Sequence, residues 1–200
     1  MEQEEIKKEA FKQELLHSIT SGNTRLSAAG NGLDRLIVEL LRIEGYNANI
    51  QAKNQSSDLA DIDIKAEKID RFNESHLFIQ VKYHSGISGS HGLNQLIEYD
   101  SQDGANVQKW LITTATLSET TKQKAEEMQI NTMEGSDLVD WIHSNLEKLS
   151  QATKERLGSI EVPQLIKFRD GILSIVGKGE ISTRRANTLI LLQLYFFTSD

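Results

Sequence analysis

The chain has 200 residues, 38% of them apolar and 26% charged, and carries a formal net charge of −7. This is enough for one core of ordinary size with a small accessory piece, and the balance excludes a disordered or fibrous chain. The absence of cysteine excludes disulfides and thiolate metal sites, so any metal must be held by carboxylate, imidazole, amide or carbonyl groups.

Over Glu2 to Ile19, the residues Ile6, Ala10, Phe11, Leu15 and Leu16 recur at helical spacing between charges, and Ser21-Gly22-Asn23 breaks the pattern. A second amphipathic helix runs from about Leu33 through Leu36, Ile37, Leu40, Leu41 and Ile43 and stops at Gly45. From Tyr46 the period changes to two. Tyr46, Ala48 and Ile50, then Ile62 and Ile64, then Leu77, Ile79 and Val81 predict three short strands, paired most simply as an antiparallel meander. A Gly/Ser-rich loop from Ser85 to Gly92 precedes a helix over Leu93 to Tyr99 and a buried strand over Val107 to Thr114. Ser118 caps a helix over Thr121 to Met128, Ile130 to Met133 forms a brief strand, and Ser136 to Leu149 forms another helix.

Beyond Ser150 the pattern loosens, with the sole proline at Pro163, before a final helix from about Thr183 to Phe197 that is apolar nearly all round. The expected organisation is an N-terminal helix over 1–29, a core over 30–150, and a helical C-terminal appendage over 151–200 available for a dimer or DNA contact. The expected fold class is α/β, with a central mixed sheet of four to five strands flanked by helices. No apolar stretch reaches the roughly 18 residues needed to span a bilayer, and Met1 leads into polar residues, so a cytoplasmic protein without membrane contact is expected. The acidic total weighs against unguided nucleic-acid binding, but residues 151–200 hold seven Lys/Arg against five Asp/Glu.

Three polar residues sit where alternation brings them together: Asp63 within Ile62-Asp63-Ile64, and Gln80 and Lys82 within Ile79-Gln80-Val81-Lys82. Period-two geometry puts Gln80 and Lys82 on one face of their strand, and pairing of the two strands can bring Asp63 to the same side. A carboxylate, an amide oxygen and an ammonium then share one patch. A hard divalent cation such as Mg²⁺ takes oxygen ligands and keeps several waters, so Asp63, the Gln80 amide oxygen and the Val81 backbone carbonyl suffice as its protein side, with Mn²⁺ as a substitute. Lys82 would orient an attacking water and offset charge growing on a phosphate. Asp, Gln and Lys at strand edges are also ordinary solvent-facing residues, and it is their order and context that point to chemistry.

That order resembles the Mrr-like restriction endonucleases, the Gln-x-Lys variant of the PD-(D/E)xK nucleases. The matching residues are Gly32-Leu33-Asp34, Gly45-Tyr46, Asp61-Ile62-Asp63-Ile64, Ile79-Gln80-Val81-Lys82-Tyr83 and Trp110-Leu111-Ile112-Thr113-Thr114, covering about residues 30 to 146. The resemblance implies a restriction-endonuclease-like core that hydrolyses DNA phosphodiesters with a divalent metal, in restriction or defence against foreign DNA. It gives Asp63, Gln80 and Lys82 as the catalytic trio and Asp34 as an auxiliary metal or water ligand. Leu33 replaces the family's aromatic, Asp34 is shorter than its usual Glu, and the glycine before the catalytic Asp is missing. Asp61 is therefore a rival metal ligand, and Asp63 is preferred on motif register.

His84 and His91 flank the Gly/Ser loop as candidate phosphate contacts, and Arg184-Arg185 is a candidate phosphate clamp in the tail. Surface-loop and helix-capping roles are the plainer readings of these four. Glu98 and Asp103 could add a carboxylate or simply form a polar helix face. Two alternatives accompany the endonuclease reading: a catalytically weak nuclease-like module that binds DNA or protein, and a junction-resolving nuclease. Cutting both strands calls for two sites, so a homodimer is expected, whether alone or inside a larger restriction complex.

Overall fold

The structure, a computed structural model, describes residues 2–26, 31–51, 62–71, 73–98, 107–161, 166–169, 172–175 and 180–182. It divides into two units, residues 1–149 and 150–200.

In the first unit, helix α1 (Glu2–Thr20) is followed by α2 (Gly32–Ile43) and by strands β1 (Asn47–Ile50), β2 (Ile64–Ile69) and β3 (Glu74–Lys82). After the two-residue strand β4 (Ile87–Ser88) come α3 (His91–Glu98), β5 (Val107–Thr113), the two-residue strand β6 (Thr116–Leu117), α4 (Glu119–Glu127), β7 (Ile130–Met133) and α5 (Gly135–Asn145). A short 3-10 turn over Leu146–Lys148 ends the unit, so the helix expected to run to Leu149 tightens in its last turn.

Five strands form one mixed sheet in the order β1-β2-β3-β5-β7. The first three pair as the expected antiparallel meander, whereas β5 lies parallel to β3 and β7 parallel to β5. The change of sense follows from the connections. Only residues 70–73 separate the antiparallel strands β2 and β3, and each parallel step crosses over through a helix, α3 and then α4. The register places Lys82 beside Thr113, so the carboxyl ends of β3 and β5 lie side by side.

Each face of the sheet is covered by helices, as alternation along β3 dictates. Phe78 belongs to a cluster with Ile62, Leu93 and Leu96 of α3, Leu111, Leu117, Ala125 of α4 and Ile130. On the opposite face, Lys68 Nζ donates to the carbonyl of Glu44 just after α2, and the Tyr83 hydroxyl donates to the carbonyl of Ile19 in α1. The helix α2 buries Leu33, Leu36, Ile37, Leu40 and Leu41, the stripe expected from its period. Gly45 has φ +89°, the left-handed stop that turns the chain into β1. α1 packs on α5, where Lys12 bridges Glu9 at 2.8 Å and Asp140 at 2.7 Å. Hydrogen bonds to these carboxylates, Asp140 foremost, push its pKa up to about 12.

In the second unit, α6 (Gln151–Leu157) is capped by Ser150, whose side chain accepts from the Thr153 amide, and ends at Gly158 in the left-handed region. Four short strands follow: β8 (Ser159–Glu161), β9 (Ile166–Arg169), β10 (Ile172–Ile175) and β11 (Glu180–Ser182). β9 pairs antiparallel with β10, and β8 with β11. The appendage is therefore not helical throughout its described residues, which corrects the expectation for this segment. The missed signal is Asp170-Gly171 between alternating apolar runs, a hairpin pattern. The final helix expected over Thr183 to Phe197 lies outside the described residues.

Candidate active site

Asp63 forms a bend immediately before β2, whose ladder with β3 ends at the Ile64–Ile79 pair. Its amide donates to the Ile79 carbonyl at 3.0 Å, and its carbonyl accepts from the Gln51 amide at 2.8 Å. The amide and carbonyl of Asp63 thus leave toward opposite sides, and its bond to Ile79 falls one residue out of the Ile64–Ile79 register. This irregular step brings the Asp63 carboxylate to Gln80 and Val81. The Gln80 amide nitrogen donates to Asp63 Oδ2, and the Val81 backbone amide donates to the same oxygen at 2.7 Å. β3 continues past the start of β2, and the Asp63 carboxylate serves the Val81 N–H in place of a backbone carbonyl. Because the N–H and C=O of one strand residue leave on the same side, the Val81 carbonyl also faces the Asp63 edge of β3.

The other end of the Gln80 amide is unsatisfied. Gln80 is 2% exposed, and its Oε1 has no hydrogen-bond partner among the described residues. Leaving a buried acceptor unpaired costs roughly 1–3 kcal/mol, so native proteins seldom do it without a use. An amide oxygen with no donor, one strand away from a buried carboxylate and beside a backbone carbonyl, is the donor set of a hard divalent cation. The residues present fit such an ion. Among the described residues, no group of three His, Asp or Glu side chains offers another site of that kind.

Lys82 shares the face of Gln80 and reaches toward α3, where its Nζ donates to Gln95 Oε1 at 2.7 Å. Lys65 and Lys109 lie on this face too, with the Lys65 ammonium 4.9 Å from the Phe78 ring centroid and Lys109 Nζ donating to the Leu96 carbonyl at 2.6 Å. An acidic chain thus concentrates lysines on the sheet face that carries the candidate site.

The exit from β3 is held by Thr114. Its hydroxyl donates to the His84 carbonyl at 2.7 Å and accepts from the His84 amide at 3.0 Å, while its own amide donates to the Lys82 carbonyl at 3.2 Å. Gly135 at the start of α5 comes so close that a Cβ there would lie 2.3 Å from the Thr114 carbonyl oxygen.

The remaining sequence candidates separate. Asp34 sits in the first turn of α2 with only 8% exposure, on a helix that covers the sheet face opposite Gln80 and Lys82. His84 is exposed just after β3. His91 is exposed as the first residue of α3, and β4 occupies part of the segment expected to be a plain Gly/Ser loop. Asp61, Asp103, Arg184 and Arg185 lie outside the described residues, and so does the Glu98 side chain. Sequence reasoning missed Gln95 and Thr114. The signal for Thr114 was its place at the end of a buried strand, and the signal for Gln95 was its position one helical turn past Gly92.

Residues 26–142 match the Mrr catalytic-domain family, described as restriction endonuclease. No curated protein sequence matches the chain. Among solved structures, AspBHI, a DNA modification-dependent restriction endonuclease, is 12% identical over 73% of this chain and 38% of its own, with a TM-score of 0.53. MspJI restriction endonuclease in complex with a 27-mer oligonucleotide is 14% identical over 76% of this chain and 36% of its own, at 0.44. A protein of unknown function, AF1548, is 18% identical over 59% of this chain and 66% of its own, at 0.46. The chain thus spans between 36% and 66% of the length of these structures.

The AspBHI likeness fits a restriction-endonuclease fold, a mixed sheet between helical layers. The family match covers more than half of the chain, and this protein belongs to the restriction endonuclease family of the Mrr type.

Proposed function

We propose that this chain is a divalent-metal-dependent endonuclease that hydrolyses DNA phosphodiesters, and that it serves restriction or defence against foreign DNA. The observation that carries the reading is the buried, hydrogen-bonded Asp63–Gln80 pair, with Lys82 one pleat beyond Gln80 on the same face of β3. Asp63, the Gln80 amide oxygen and the Val81 carbonyl would hold the cation, with Asp61 as the rival carboxylate, while Asp34, on the helix over the opposite face, is set apart from this ligand set. Mg²⁺, or Mn²⁺ in its place, would supply a water of lowered pKa and neutralise charge on the phosphate.

The chain's own part is positional and electrostatic. Asp63 is held in one rotamer by the Gln80 amide and the Val81 N–H, so its second oxygen has a fixed direction. Lys82 brings an ammonium to the carboxyl end of β3, where open α/β sheets bind ligands, and there it orients the attacking water and offsets charge on the phosphoryl oxygens. Lys65 and Lys109 add positive potential on that face, which favours a polyanionic substrate despite the acidic total. His84 and His91, exposed beyond β3, and Arg184 and Arg185 in the tail are the further phosphate contacts we assign. A two-fold dimer would present two such sites to opposite strands.

The test is cleavage of supercoiled plasmid and of linear duplex, unmodified and base-modified, by wild type and Lys82→Ala in Mg²⁺, Mn²⁺ or EDTA. Nicking or cutting that needs metal and disappears in Lys82→Ala is the expected result. DNA binding without cleavage in any metal would replace the reading by a binding module, and selective cutting of branched DNA would replace it by a junction-resolving nuclease.

A further inference from the structure

The helix α3 holds Lys82 in two ways. The first is polar: Gln95 Oε1 accepts from Lys82 Nζ at 2.7 Å. The second is steric: a Cβ on Gly92 would lie 2.9 Å from Leu111 Cδ1, 2.9 Å from Lys82 Cε and 3.0 Å from Lys82 Cγ, so the lysine stem and the buried Leu111 together occupy the space that a side chain at position 92 would need. A side chain there would push the lysine stem or Leu111 aside, and the residue one turn later catches the ammonium.

This seat is itself fixed. Leu93 and Leu96 are fully buried in the core cluster beneath α3. Lys109 Nζ donates to the Leu96 carbonyl from β5, and Lys124 Nζ donates to Asn94 Oδ1 at 2.8 Å from α4. An eight-residue helix with this many ties is a rigid bracket, and it carries the acceptor against which a flexible lysine side chain is ordered.

We propose that Gln95 is a positioning residue for the phosphodiester cleavage put forward above, acting through Lys82, with Gly92 as the groove that receives the lysine stem. A lysine loses several rotatable bonds' worth of freedom when its ammonium must stand at one point. Gln95 and Gly92 meet that cost in the folded ground state, before DNA arrives. The inference rests on the proposed nuclease reading and adds to it the device that orders its cation. A neutral amide suits this task. It accepts a hydrogen bond from the ammonium without adding a negative charge beside it, where a carboxylate would neutralise it.

The test uses the full chain and compares wild type, Gln95→Ala, Gln95→Glu, Gln95→Asn and Gly92→Ala in single-turnover cleavage of supercoiled plasmid. In parallel, side-chain order at Lys82 Cε is measured by relaxation of ¹³C-lysine in metal-free, DNA-free protein. Gln95→Ala should lower the maximal rate about 10- to 100-fold, the scale of a misplaced reacting group, at unchanged DNA affinity. It should also lower the Lys82 order. Gln95→Glu, which keeps the length and an acceptor, should restore order and at least part of the rate, whereas Gln95→Asn, one methylene short, should not. Gly92→Ala should reproduce the rate loss with Gln95 intact. A merely structural role would instead lower the melting temperature in all variants without separating rate from affinity and without rescue by Glu. Wild-type rate and wild-type Lys82 order in Gln95→Ala, while Lys82→Ala is inactive, would overturn the inference and leave the nuclease reading standing. Absence of metal-dependent cleavage by the wild type would remove the nuclease reading, and this inference with it.

Discussion

Asp63, in the bend before β2, meets Gln80 of β3 side chain to side chain, and a single carboxylate oxygen of Asp63 takes both the Gln80 amide and the Val81 N–H. The pair is buried, yet Gln80 Oε1 has no donor among the described residues. A hydrogen-bonded pair with one orphaned acceptor is the arrangement a cation completes. Gln80→Glu should therefore make the fold metal-dependent. Two carboxylates in contact repel, and one must take up a proton or find a cation. The variant should melt below wild type in EDTA, and Mg²⁺ should raise its melting temperature by more than it raises the wild type's. Thermal unfolding with and without Mg²⁺ reads this directly, and equal metal responses in the two proteins would count against the ligand set.

Thr114 clamps the segment that follows Lys82. Thr114→Val keeps the shape but removes a hydroxyl that both donates to and accepts from the His84 backbone. The expected cost is about 1–2 kcal/mol, at the low end for two hydrogen bonds because His84 is exposed to compensating water. The His84 amide should exchange with solvent at least several-fold faster in the variant, which hydrogen-exchange measurement resolves residue by residue.

Gly32 opens α2, and a Cβ there would lie 2.0 Å from the Leu26 carbonyl oxygen. Alanine usually stabilises a helix relative to glycine by roughly 0.5–1 kcal/mol. Gly32→Ala should do the opposite and cost about 1–3 kcal/mol, because backbone rather than a flexible side chain must move. A melting temperature lower by several degrees is expected. An unchanged or higher melting temperature would show that the 24–26 segment yields.

His143 lies near the end of α5 with its ring 5.8 Å from that of Phe11 in α1. Burial, then the charges of Lys8 and Lys12, hold its pKa below the ordinary 6.5. The unfolded chain therefore binds the proton more readily. The neutral imidazole's contribution is fully present above pH 6.5 and is lost as pH falls from there through the lower folded-state value. Stability against urea should decline across that window in wild type and decline less in His143→Phe. Parallel pH profiles for the two proteins would remove the effect.

The elements that frame the site were legible because their periods are clean. The alternation of Leu77, Ile79 and Val81 fixes which way Gln80 and Lys82 point, and the stripe from Leu33 to Leu41 fixes the helix that covers the opposite face. What ties Lys82 down was not legible. Gln95 and Thr114 act through contacts 13 residues from Lys82 and 30 residues from His84, and no local pattern marks a hydrogen bond made across a crossover. Gly92 gave a partial sign, since a glycine in a helix often marks a close approach, but the approaching group was visible only in three dimensions. The hairpin of β9 and β10 was missed because loose composition hid a short alternating pattern around Asp170-Gly171.

Asp63→Asn at saturating DNA and Mg²⁺ removes the carboxylate around which we propose DNA hydrolysis is built. Asn keeps the shape and an acceptor for Val81 N–H, so the fold should survive while the charge that would hold the cation is gone. The single-turnover plasmid cleavage rate should fall by at least about 100-fold with DNA affinity retained. A variant that cuts at the wild-type rate would contradict it and move the metal to another carboxylate.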